Sequence, residues 1–258
     1  MLFVIDVGNT NIAMGFYDGD TLVSSYRMAT EKNRSSDEIG LFFLQIFQNA
    51  GIEINRIDGV AISSVVPQIM HALENAVRKY VKVTPFVVTS QLPLGMKILL
   101  DNPAELGADR LVNAIAAYRT YGGPTIIIDF GTATTFCVVN AEGNYLGGAI
   151  YPGLKVSMDA LVEKTSKLPK VEIVKPEHVI GSNTVKSMQS GIVYGYAGMV
   201  DYIVSKMKDE LGAPKANVIA TGGLSTLIAG EARSITHTSR NLTLIGLKMI
   251  YDDLNSKQ

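Results

Sequence analysis

Apolar residues run from Leu2 to Ile5 and give way to Asp6-Val7-Gly8-Asn9-Thr10-Asn11, so the chain opens on a buried strand that breaks into a polar turn. Ile12 to Tyr17 predicts a second strand, Asp18-Gly19-Asp20 a hairpin turn and Thr21 to Met28 a third strand, together an antiparallel meander. Ser35 and Glu38 stand at capping-box spacing. Behind them Ile39, Phe42, Phe43, Ile46 and Phe47 form a helical stripe that Gly51 stops. Asp58 to Ser63 predicts a buried strand, Pro67 the first turn of a helix reaching about Tyr80, and Val83 to Val88 a further strand. Strands that alternate with helices in this way indicate an α/β fold.

Met96 to Asn102 reads as irregular or extended, and the helix after it carries Leu111, Ile115 and Tyr118 on one face. Thr125 to Thr132 then repeats the opening: an apolar strand, Asp129, one residue, Gly131 and a threonine. Thr134 to Val139, the Glu142-Gly143 turn and Tyr145 to Tyr151 complete a second strand-turn-strand-turn-strand unit. The repeat predicts duplicated domains, 1–115 and 116–258. A helix from Leu154 to Val162 and a surface connector from Lys164 to Pro176 follow, then a short polar segment from Ile180 to Val185. It leads into a long helix, Lys186 to Leu211, whose Gly191, Gly195 and Gly198 leave room for close packing or act as plain spacers. Asn217 to Ala220 reads as a strand ending in the small-residue turn Thr221-Gly222-Gly223-Leu224, suited to a flat base or ribose, and Leu242 to Leu254 as a closing helix.

Composition narrows the function classes. With 258 residues, 47% of them hydrophobic, the chain can bury a full core. A net charge of -1 gives no electrostatic case for nucleic acid or an anionic membrane, and favours a small-molecule ligand. Gly191 to Val204 is the most membrane-like stretch, but it holds Asp201 and is too short to span a bilayer, so it reads as a buried helix. The single cysteine, Cys137, lies among apolar residues, excludes an intrachain disulfide and suits a reducing cytoplasm. No secretion signal is expected, because the apolar run after Met1 is short and meets Asp6. His71, His178 and His237 are far apart without ligand spacing, which argues against a zinc site or a His-based triad.

The candidate chemistry sits at the strand ends. An Asp-x-Gly turn lets the backbone approach a phosphate and sets a carboxylate beside it to hold a cation through water. Two such turns, at Asp6 and Asp129, can hold one polyphosphate from both sides. Glu105-Leu106-Gly107-Ala108-Asp109-Arg110 sets an acid and a base together near a helix start, either as a solvated pair at the dipole or as reacting groups. No Gly-x-x-x-x-Gly-Lys-Ser/Thr loop occurs, so a P-loop kinase is not supported.

These features resemble the acetate and sugar kinase, Hsp70 and actin superfamily: α/β, with two duplicated ribonuclease-H-like domains whose mixed sheets are flanked by helices, and an ATP cleft between them. Within it, Asp6 to Asn11, Asp101-Asn102-Pro103, Gly107-Ala108-Asp109-Arg110, Asp129 to Thr135 and Gly147-Gly148-Ala149-Ile150-Tyr151-Pro152-Gly153 together resemble type III pantothenate kinase. The resemblance implies phosphorylation of pantothenate by ATP, the first step toward coenzyme A, in a homodimer using Mg2+ and a monovalent cation, K+ or NH4+. It implies Asp109 as general base, with Gly107, Ala108 and Arg110 holding substrate. Asp6, Val7, Gly8, Asn9, Thr10, Asn11, Ile12 and Ala13 would form the ATP turn, and Thr132 would touch ATP from the second domain. Asp6 would also serve Mg2+ through water. Asp129 would bind the monovalent cation or act as a second magnesium aid, and Thr184 would reach pantothenate across the dimer interface. The family usually has Tyr where this chain has Leu100, which can pack against the dimethyl group of pantothenate but cannot donate a hydrogen bond; altered affinity is expected. Arg110 suits the pantothenate carboxylate or a structural ion pair. The alternative is a nucleotide-responsive regulatory protein of the same fold without kinase activity.

Overall fold

The computed structural model describes residues 1–92 and 94–255. Strand β1 (Leu2–Val7) lies between β2 (Asn11–Asp18), antiparallel, and β4 (Gly59–Ser64), parallel. A central strand covered on both faces explains its unbroken apolar run. With β3 (Thr21–Ala29) and β5 (Phe86–Val87) the sheet has the order β3-β2-β1-β4-β5. β5 is shorter than the sequence predicts, because only Phe86 and Val87 pair with β4.

Helix α1 (Ser36–Ala50) begins on the expected capping box: Glu38 N donates to Ser35 Oγ, and Ser35 N donates to Glu38 Oε2 at 2.8 Å. Gly51 ends it in the left-handed region at φ 65°. The helix lays Phe43 and Phe47 edge-on against Phe3, which stacks on Phe16 at 4.6 Å. The helix expected from Pro67 to about Tyr80 forms as α2 (Pro67–Ala76) continued by a π-helical turn over Val77–Val81, and it ends at Lys82 with φ 65°. A 3-10 turn at Pro103–Glu105 precedes α3 (Ala108–Tyr121).

The second sheet repeats the first. β6 (Thr125–Phe130), β7 (Ala133–Val139) and β8 (Tyr145–Pro152) form the antiparallel meander, and β9 (Asn217–Gly222) pairs with β6 in parallel. The short β10 (His237–Thr238) completes the order β10-β9-β6-β7-β8, the arrangement of the first sheet read from the other edge. Helices α4 (Leu154–Glu163), α5 (Thr184–Glu210), α6 (Ser225–Ala229) and α7 (Leu242–Asn255) complete the chain. β10 and α6 carry no sequence signal because each is too short to show a period.

The Gly191 to Val204 stretch of α5 is not the buried helix that its hydropathy predicts. Val193, Tyr196, Ala197, Val200 and Val204 face the core, whereas Gly191, Gly195, Gly198 and Tyr202 are exposed. A Cβ at any of those three glycines would meet nothing within 4 Å, so none spaces a packed contact inside this chain. Cys137 is buried as expected, and Tyr145 Oη donates to its Sγ at 3.3 Å. Among the described residues no helix is long and apolar enough to cross a membrane.

The compact units are not contiguous in sequence. Met1–Gly95, Asn102–Ala116 and Thr243–Gln258 form one, and Met96–Asp101 with Ala117–Leu242 the other. In the first, α7 brings Leu244 against Gly15, Tyr251 against Gly59 and Gly246 against Val112. In the second, Lys97 and Leu99 exchange backbone hydrogen bonds with Tyr145 at 2.8 Å.

Candidate active site

β1 carries Asp6 to its C-terminal end, in register with Ala13 of β2 and with Ser63 of β4. Ser63 is fully buried, and its Oγ donates to Asp6 Oδ1 at 2.6 Å. Gly8 N donates to Asn11 O at 3.0 Å across the turn. Thr30, just past β3, clips the turn from the side: its Oγ1 donates to Gly8 O at 2.7 Å and its N to Thr10 O at 2.9 Å. Asn9, Thr10 and Asn11 are exposed and half-buried Ala13 follows on β2. Val7 and Ile12 bury their side chains in the core, so only their backbone is available to a ligand.

Asp109 lies in the first turn of α3, where Arg110 N donates to its Oδ1 at 2.7 Å. Burial pushes its carboxyl above the ordinary carboxylate range, against the opposing pull of the Arg110 N–H and guanidinium. The carboxylate folds over Gly107, where an added Cβ would stand 2.6 Å from Asp109 Oδ1 and 3.4 Å from Val65 Cγ1. A side chain at Gly107 would have to displace that carboxylate. Ala108 is buried, and Arg110 is half-buried. The end of β4 serves both carboxylates: Ser63 holds Asp6, and Val65, whose N donates to Val7 O at 3.1 Å, lies beside Gly107.

In the second unit β6 delivers Asp129 to the equivalent place, in register with Thr135 of β7 and Thr221 of β9. This turn is one residue tighter, Gly131 N donating to Ala133 O at 3.1 Å. Thr132 is exposed and accepts from Gly153 N, the cap of α4, at 3.0 Å. Gly222 has φ 92°, and a Cβ there would lie 2.6 Å from Asp129 Oδ1. Its lack of a side chain leaves room for that carboxylate. Leu100 is half-buried, with its Cδ2 3.6 Å from where a Gly147 Cβ would be. Thr184 is the exposed first residue of α5, whose cap Asn183 accepts from Lys186 N at 2.9 Å.

The first unit thus holds Asp6 to Ala13 with Gly107 to Arg110, and the second holds Leu100, Asp129, Thr132 and Thr184. Among the described residues no group of three or more His, Cys, Asp or Glu converges to hold a metal. Strand-end carboxylates beside exposed turns suit Mg2+, which keeps most of its waters and takes its remaining oxygens from phosphate. His71, His178 and His237 are all exposed. Sequence reasoning passes over Ser63, which reads only as the end of a buried strand. Its signal is a hydroxyl closing an apolar run, and the partner is invisible until strand register is known.

A model of the family described as type III pantothenate kinase matches residues 2–206. Among solved structures, a protein from Campylobacter jejuni described as a Baf family transcriptional activator is 16% identical with a TM-score of 0.62, covering 98% of this chain and 99% of its own. Component A of the (R)-2-hydroxyglutaryl-CoA dehydratase from Acidaminococcus fermentans is 12% identical with a TM-score of 0.59, covering 100% of both chains. A ROK hexokinase from Thermus thermophilus is 13% identical with a TM-score of 0.50, covering 99% of both. At such identities the likeness is one of fold: two ribonuclease-H-like domains, each with a mixed five-stranded sheet.

Proposed function

The chain belongs to the type III pantothenate kinase family, and from that premise we propose that it transfers the γ-phosphoryl group of ATP to the primary hydroxyl of pantothenate, releasing ADP and phosphopantothenate for coenzyme A synthesis. The observation that carries the reading is Asp109: a carboxylate pinned at the start of α3, with its proton affinity raised by burial. A switch protein has no need of a base so placed. As the phosphoryl group arrives, the pantothenate hydroxyl gives its proton to Asp109, and the oxygen it leaves forms the new P–O bond while the bond to ADP breaks. Arg110 would hold the pantothenate carboxylate, with Gly107 and Ala108 lining the acceptor and Leu100 offering apolar contact.

On the donor side, the backbone N–H groups at the exposed tip of the first turn, Asn9 and Thr10, and the Thr132 hydroxyl would bind phosphate oxygens, the Gly8 N–H being spent on closing the turn. Asp6 would hold the hydration shell of Mg2+, which when bound neutralises charge on the phosphates. Asp129 would take K+ or NH4+. Thr184 would serve the pantothenate of a partner copy, a role supported by its exposure and by the open glycine face of α5. Sedimentation of a monomer at assay concentration would remove that role.

The deciding experiment incubates purified protein with ATP, Mg2+ and pantothenate, with and without K+. ADP and phosphopantothenate are expected in equal amounts, faster with K+. Bound ATP without phosphorylated acceptor, at substrate on the order of 1 mM, would overturn the kinase reading in favour of a nucleotide-responsive regulator.

A further inference from the structure

In β4 every residue from Gly59 to Ser63 is buried, and Ser63 brings the hydroxyl to that run. A hydroxyl taken out of water costs stability unless it is paired, and alanine would fill the position with no polar atom to satisfy. Ser63 Oγ spends its proton on Asp6 Oδ1 at 2.6 Å, a short charge-assisted hydrogen bond. The second unit repeats the placement. Thr221 of β9, 2% exposed, stands in parallel register with Asp129 as Ser63 does with Asp6. Each duplicated sheet therefore sets a buried hydroxyl on the parallel neighbour of its strand-end aspartate.

We propose that Ser63 is a positioning residue for the phosphate-side carboxylate. Its O–H fixes the rotation of Asp6 about the Cβ–Cγ bond, so that Asp6 presents a defined edge to the hydrated Mg2+ of MgATP. Fully buried behind Asp6, Ser63 acts through that carboxylate. The inference rests on the kinase reading and adds to it a determinant of magnesium-dependent nucleotide affinity.

The test titrates MgATP, and separately ATP in EDTA, into wild type and Ser63→Ala without acceptor. Ser63→Ala should weaken MgATP binding roughly 10-fold and leave ATP binding in EDTA within about 2-fold. Ser63→Thr and Ser63→Val control for folding, since the pair has nearly equal volume and differs in the hydroxyl. Thr should bind MgATP about 10-fold more tightly than Val, with similar melting temperatures. Equal MgATP affinity within either comparison, or an equal loss in EDTA, overturns the proposal and leaves Ser63 a structural residue. Because no acceptor is present, failure to phosphorylate pantothenate would count against the proposed function alone, and the titrations would still decide the role of Ser63.

Discussion

Asp109 combines two demands that pull in opposite directions. A general base works best when its proton affinity approaches the operating pH, and burial at the start of α3 raises that affinity at some cost to folding. Asp109→Asn should lower kcat by about 10²–10⁴-fold. The same change should raise the melting temperature near neutral pH. A carboxyl whose proton affinity is raised in the folded state favours folding below its unfolded pKa of about 4, and that contribution is lost as pH rises through the folded value. The thermal advantage of Asp109→Asn over wild type should therefore grow across that window and vanish at lower pH. Melting curves taken across pH check this, and a variant less stable than wild type at every pH would show that the Arg110 N–H bond outweighs burial. In wild type the acid limb of kcat/KM should lie above the ordinary carboxylate range, since activity is lost as the base takes up its proton.

Among the elements, α4 has the clearest link to the site. Its cap, Gly153, packs so tightly on the Asp129 turn that a Cβ would collide with the carbonyl oxygens of Gly131 and Thr132. Gly153 has φ -73°, so space and not backbone freedom demands glycine here. Gly153→Ala should cost about 1–3 kcal/mol and shift the turn carrying Thr132, lowering ATP affinity. Urea unfolding with an ATP titration tests this, and unchanged values in both would separate the helix from the turn. Other elements were legible without tertiary information. The α1 capping box needs only Ser35 and Glu38 three positions apart, and both of its hydrogen bonds form. α5 was less legible: its hydropathy gave the helix but not the exposed glycine face, because small residues look apolar whether or not anything packs on them.

For the whole molecule, chain order and spatial grouping diverge. α7 follows β10 in sequence yet packs with β2, β4 and α3 in the first unit. Three glycines permit this: Gly15 against Leu244, Gly59 against Tyr251, and Gly246 against the backbone of Val112. Lys248 adds an ion pair to Asp20 and another to Asp252 at 2.5 Å. Gly246→Val should destabilise the first unit by roughly 1–3 kcal/mol, because the obstacle is the Val112 carbonyl and not a movable side-chain end. Chemical denaturation followed by far-UV circular dichroism measures it, and an unshifted midpoint would mean that α7 can move away without loss.

The sequence by itself determined the repeated strand-turn-strand units, the Asp-x-Gly turns, the acid and base at the head of α3, and the capping box. Each is written in residues a few positions apart, where hydrophobic period and turn chemistry act directly. Only the tertiary structure decided that Ser63 faces Asp6, that Gly107 yields its space to Asp109, that α7 joins the first unit, and that β5 shrinks to two residues. Those outcomes depend on strand register and on the fit of surfaces remote in sequence. A one-residue slip of β4 would turn Ser63 to the opposite face of the sheet with no change in composition or local pattern.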